Sequence, residues 1–171
     1  MQTTQRHTAV SMLQLPDADA SDRCAQRLAN CLRPGLFFTL QGPVGAGKTH
    51  FIRALLMALG VQGPVKSPTY GLLEPYIASN LYLYHFDFYR FFDPLEWEAT
   101  GFRDLFDGHN IQFVEWPEKA AGFLPSPDIE LIFAYAVSGR SLSVAAHTPA
   151  GQACVSCWRP CSWRRPDDGI V

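Results

Sequence analysis

Gly42-Pro43-Val44-Gly45-Ala46-Gly47-Lys48-Thr49 carries the spacing G-x-x-x-x-G-K-[ST] of a phosphate-binding loop. Glycines at these positions let the chain curl until several backbone amides face one anion. A helix that begins at the loop adds the positive end of its dipole. Gly45, Ala46 and Gly47 are the expected cradle, and His50 falls beside the ligand at the start of the helix. Lys48 is placed to bridge the outer phosphates as a point charge, and Thr49 to offer its hydroxyl to Mg²⁺.

Such chemistry also needs a carboxylate for the metal and a group that orients the attacking water. Asp87 and Glu115 are the candidates, because each ends an apolar run and α/β ligand sites form at strand ends. The weaker alternative is a strand-end carboxylate solvated at the surface or capping a turn. Ser67-Pro68-Thr69 lies where nucleotidases place a segment that senses the terminal phosphate, although the same tripeptide is a common turn. His85 reads as a buried strand histidine with a hydrogen-bonded ring, Arg90 as the partner of a carboxylate, and Trp116 as a packing residue. The Asn-Lys-x-Asp signature that reads guanine is absent from the sequence, which favours ATP over GTP.

Strand, loop and helix stand in the order this loop requires. Leu36–Leu40 reads as a buried strand and Phe51–Leu59 as a helix closed by Gly60. Upstream, Thr8–Leu15 is strand-like, and Asp19 or Ser21 can cap a helix that buries Cys24, Leu28, Cys31 and Leu32. Downstream, Tyr70–Ile77 and Leu81–Tyr89 form a hairpin pattern around Ala78-Ser79-Asn80. Asp93-Pro94-Leu95-Glu96 has capping-box chemistry for a helix expected to reach Leu105 or Phe106 in spite of Gly101. Ile111–Trp116 is a short strand stopped by Pro117, and Ile129–Val137 and Ser141–Ala146 flank a second hairpin turn. These elements make an α/β, P-loop NTPase-like three-layer domain with a mixed, partly antiparallel sheet.

The domain is expected over residues 1–150, with 151–171 an atypical tail outside the core, since the periodicity fades and cysteine, tryptophan and arginine accumulate there. Cys154, Cys157 and Cys161 with His147 make only a weak zinc pattern, and the five cysteines imply no disulfide framework. With 47% hydrophobic and 18% charged residues the chain has ample core material. A net charge of −2 argues against the broad basic surface that a phosphate backbone needs, so nucleic acid is expected to be met through a partner. No signal-peptide core or membrane-length apolar run is present in the sequence, which favours the cytoplasm.

In order, Gly42 to Thr49, Val65-Lys66-Ser67-Pro68-Thr69-Tyr70, Tyr84-His85-Phe86-Asp87-Phe88-Tyr89-Arg90 and Val114-Glu115-Trp116-Pro117 resemble the TsaE (YjeE) family. These are small bacterial ATPases of the threonylcarbamoyladenosine (t6A) modification of tRNA, and the resemblance spans about Leu36 to Gly139. It implies work with the TsaB–TsaD heterodimer, in which TsaD transfers the carbamoyl group and meets the tRNA. It further implies that Lys48 and Thr49 hold phosphate and Mg²⁺, that Glu115 assists the metal, that Asp87 acts near the γ-phosphate, and that Thr69 belongs to a switch-like segment. The end of the chain departs from the family, whose members usually close with a Leu- and Ala-rich stretch. Two other activities fit a phosphate loop on this scaffold: a small-molecule kinase, with Arg90 or Arg103 on a lid, and a binding switch that uses ATP without needing its hydrolysis.

Overall fold

The computed structural model describes residues 9–158. Its centre is β2 (Phe37–Gln41), whose first four residues are all buried because helices cover both faces of the strand. Successive side chains point to opposite faces. Phe38 and Leu40 therefore join one core and Phe37 the other.

β2 pairs in parallel with β5 (Ile111–Glu115) on one side and β6 (Ile129–Tyr135) on the other, and β5 pairs in parallel with β4 (Leu81–Asp87). Antiparallel partners extend both ends: β3 (Leu73–Ala78) beside β4, and β7 (Arg140–Ala146) followed by β1 (Ala9–Leu15) beside β6. The order is β1-β7-β6-β2-β5-β4-β3. The two-residue turn between β3 and β4 has Ser79 and Asn80 at positive φ, as a tight hairpin requires.

On one face lie α1 (Ala18–Ala29), α2 (Lys48–Ala58) and α4 (Pro149–Trp158), which bury Leu28, Phe51 and Trp158 against Phe38, Leu40 and Phe113. On the other, α3 (Glu96–Thr100) and the 3₁₀ turns Phe102–Leu105 and Pro117–Ala120 cover an aromatic cluster of Phe37, Phe86, Phe88, Phe91 and Trp97. Three layers around a mixed sheet result, as the sequence suggested. Among the described residues, no helix is long and apolar enough to cross a membrane.

Several local expectations need correction. The cap of α1 is Asp17, not Asp19 or Ser21: its extended backbone lets Oδ1 accept from the Ala20 amide at 2.7 Å. The Asp93 and Glu96 side chains do bond the backbone, with Asp93 Oδ1 accepting from Leu95 N and Glu96 Oε1 from Asp93 N. They close a turn ahead of α3, which starts only at Glu96 after Leu95, a cap with no side-chain bond. The helix stops at Thr100, because Gly101 turns left-handed (φ 70°) and the chain continues as a 3₁₀ turn.

Residues 151–158 are not an appendage. They continue α4, and Cys154, Val155 and Trp158 are buried in the main core. Trp158 donates its indole N–H to the Cys24 carbonyl at 2.9 Å. A disulfide joins Cys31 to Cys157, so Cys31 is not a free core thiol, whereas Cys24 and Cys154 are free and buried. With Cys157 bonded and His147 3.6 Å from Glu130, the zinc pattern is not assembled among the described residues. Cys161 and the rest of the tail lie outside them.

Candidate active site

The parallel strands β2, β4 and β5 end side by side, and their carboxyl edge is where chemistry collects. In register, Asp87 lies opposite Glu115 and Glu115 opposite Leu40. Phe86 and Val114 turn toward the aromatic cluster. Alternation therefore sends His85, Asp87 and Glu115 to the opposite face, the one α2 covers.

The loop leaves β2 at Gly42, whose φ is 131°; a Cβ there would strike the carbonyl of Phe133. Only glycine fits so close to β6. The β6–β7 hairpin then fixes the loop from outside, with the Tyr135 hydroxyl donating to Val44 O at 2.6 Å and Arg140 Nη2 to Gly45 O at 3.1 Å. With those carbonyls held outward, the amides of the loop are left to face a ligand. Sequence reading missed both anchors; they are separated from the loop by 91 and 95 residues and no local signal marks them.

α2 begins at Lys48, directly after Gly47, earlier than its apolar periodicity indicated. Lys48 is 4% exposed and donates to Gly42 O at 2.7 Å and Pro43 O at 3.0 Å. Its ammonium also sits 4.1 Å from the centre of the Trp116 ring, which Tyr89 packs against in turn. Burial pulls the Lys48 pKa below the ordinary lysine value, with Glu115, Asp87 and Glu118 opposing that shift. A phosphate beside this ammonium would favour its charged form.

Thr49 donates its hydroxyl proton to Glu115 Oε1 at 2.7 Å, and His85 Nε2 lies 2.9 Å from the same oxygen. Hydroxyl and carboxylate are hard oxygen donors, suited to a small divalent cation that takes its other ligands from water and phosphate. Asp87 is held separately: Ser67 and Thr69 donate to Oδ2 at 2.8 and 2.7 Å, and the Tyr89 amide donates to Oδ1 at 3.0 Å. Thus the Ser67–Thr69 segment is tied to the carboxylate that would face an incoming phosphate.

A cavity of about 430 Å³ joins these groups, lined by loop residues Gly45, Gly47, Lys48 and Thr49 together with Thr69, Asp87, Glu115 and Trp116. Ala46 is fully buried and faces the core, so only its backbone can serve a ligand. His50 lines the cavity too, and its Nε2 lies 2.6 Å from Asp22 Oδ1 without hydrogen-bond alignment. Among the described residues Arg90 pairs with no carboxylate; it stacks on the Tyr70 ring at 3.9 Å. Arg103 lies 3.8 Å from Glu98 on the surface. Trp116 does more than pack, since its backbone is left-handed (φ 59°) and its ring covers Lys48.

The sequence profile of the family described as "Threonylcarbamoyl adenosine biosynthesis protein TsaE" matches residues 15–142. A Haemophilus influenzae protein named tRNA threonylcarbamoyladenosine biosynthesis protein TsaE is 38% identical over 147 residues, covering 83% of this chain and 93% of the relative. A Bacillus subtilis protein of the same name is 35% identical over 108 residues, covering 63% and 67%. Among solved structures, the crystal structure of B. subtilis YdiB superposes with a TM-score of 0.77 at 22% identity, over 90% of this chain and 97% of that one, a likeness of fold.

Proposed function

The chain belongs to the TsaE family of t6A biosynthesis, and from that premise we propose that it is a Mg²⁺-dependent ATPase that supports tRNA modification together with TsaB–TsaD in the cytoplasm. The observation that carries this reading is the Thr49–Glu115 hydrogen bond of 2.7 Å at the foot of the phosphate loop. It joins the two oxygen donors a phosphate-bound cation needs, within the cavity that also holds Lys48 and Asp87.

In this reading the amides of Gly45, Ala46 and Gly47 take the phosphates, and His50 lies beside them. Lys48 spends two N–H groups on Gly42 and Pro43 and has a third for a phosphate oxygen. Mg²⁺, when bound, would neutralise charge on the outer phosphates, with Thr49 and Glu115 as the residues that hold it. Asp87 orients the attacking water once its oxygens are freed, and the Ser67 and Thr69 hydroxyls that now occupy it form the latch. Nucleotide binding that draws Thr69 toward the terminal phosphate would release Asp87, so hydrolysis waits for a correctly filled site.

Contact with tRNA is indirect, through the partner, which suits a chain of net charge −2. Product analysis tests the enzymatic part. ADP and free phosphate should form only with Mg²⁺ present. A phosphorylated metabolite would replace the reading with a kinase, and partner action sustained by a non-hydrolysable ATP analogue would replace it with a binding switch.

A further inference from the structure

Glu115 is 2% exposed, and its Oε1 receives two hydrogen bonds, from Thr49 and from the His85 ring. Those fill the in-plane lone pairs of Oε1. Among the described residues no donor reaches Oε2, and Glu115 lines the cavity. The carboxylate is therefore pinned through one oxygen and presents the other.

His85 itself is fully buried in β4, and its ring reaches diagonally across to the neighbouring strand. Since a carboxylate oxygen only accepts, Nε2 must be the donor, which leaves Nδ1 buried with no partner among the described residues. An orphaned buried nitrogen costs stability that a leucine or phenylalanine of similar volume would not. Strand packing alone does not call for a histidine here; the Glu115 contact does.

Resting on the ATPase reading above, we propose that His85 is the positioning residue of the cation site: it holds Glu115 Oε1 so that Oε2 faces the Mg²⁺ that arrives with the nucleotide. Thr49 cannot do this alone, because its hydroxyl is itself expected to turn a lone pair to the cation. His85 has no such second task. It touches neither nucleotide nor cation, and its effect passes entirely through Glu115.

Equilibrium binding of a fluorescent ATP analogue to the full-length chain tests this, in EDTA and across a Mg²⁺ titration. H85L removes the donor and H85Q keeps an N–H near the position of Nε2. We expect H85L to bind as the parent does in EDTA but to need about 10–100-fold more Mg²⁺ for the tight complex, with H85Q recovering most of that loss. An H85L protein with the parent's Mg²⁺ requirement overturns the proposal. So does equal weakening with and without Mg²⁺, the result of a ring that merely packs.

Should H85L fail to fold, H85N decides, since its shorter side chain cannot reach Glu115. A higher Mg²⁺ requirement than that of H85Q supports the proposal, and an equal one overturns it. Parent protein whose nucleotide binding ignores Mg²⁺ would instead overturn the ATPase reading beneath it.

Discussion

Removing the Trp158 side chain should cost this domain about 4 kcal/mol. Buried aromatic residues truncated to alanine lose roughly 3–5 kcal/mol through transfer and cavity terms. Three features of the structure place W158A in the upper half of that range. The side chain is 1% exposed, its ring packs edge-on against Phe51 at a centroid distance of 6.2 Å, and its N–H donates to the Cys24 carbonyl. The Cys24 carbonyl keeps its helical bond within α1, so losing that last contact removes one hydrogen bond, a further loss of about 1 kcal/mol. In a domain of this size each kcal/mol moves Tm by roughly 2–4 °C, so the expected drop is about 8–16 °C.

Urea unfolding of the full chain, followed by circular dichroism under reducing conditions, reads the effect with the Cys31–Cys157 bridge open. S156A, on the exposed side of α4, is the control and should stay within about 0.5 kcal/mol of the parent. A W158A loss below about 1 kcal/mol would refute the claim that α4 belongs to the core.

K48A should lower Mg²⁺-dependent phosphate release by about 10²–10³-fold, the scale expected for one preorganised charge at the phosphates; undiminished release would remove Lys48 from the site. D87N should lower kcat to a similar degree while the Kd for nucleotide changes far less, and equal changes in both would make Asp87 a binding residue instead. The parent's affinity for ATP should fall with alkaline pH. Phosphate favours protonated Lys48, so affinity is greatest below the free-state pKa and declines above it, and burial sets that point below the usual 10.5. Kd measured from pH 7 upward should show a decline that K48A lacks. Burial also pushes Cys24 to about 12 and Cys154 to about 11, so peptide mapping after brief iodoacetamide treatment at pH 8 should find both unmodified in the native protein; rapid alkylation of either would contradict its place in the core.

What was legible in the sequence followed the range of the interactions. The phosphate loop is read from eight consecutive residues because its function lies in local backbone curvature. Asp87 and Glu115 were legible as ends of apolar runs, and the register sets them opposite one another. The partner of His85 was not legible, since a hydrogen bond across 30 residues depends on which strands become neighbours. The same holds for Tyr135 and Arg140 on the loop, for the Tyr70–Arg90 stack, and for the Cys31–Cys157 bridge with its separation of 126 residues.

The last helix is a different case. Thr148-Pro149 is a helix-start signal, and the Gly151 amide does donate to Thr148 Oγ1 at 3.1 Å, while Thr148 Oγ1 also bonds to Asp128. Unusual composition outweighed that signal. What confines the helix is tertiary: a Cβ on Gly151 would collide with the Asp128 carbonyl, so glycine permits the close docking of α4.

The central claim is that a nucleotide cycle at Lys48, Thr49 and Glu115 serves tRNA modification. Its most direct test adds this protein to TsaB, TsaD and a TsaC-type threonylcarbamoyl-adenylate synthase, with ATP, Mg²⁺ and unmodified tRNA, and counts t6A formed per TsaD. The expected result is sustained multiple turnover with the parent protein and none with K48A. Folded parent protein that leaves turnover unchanged, or K48A that sustains it equally well, would contradict the claim.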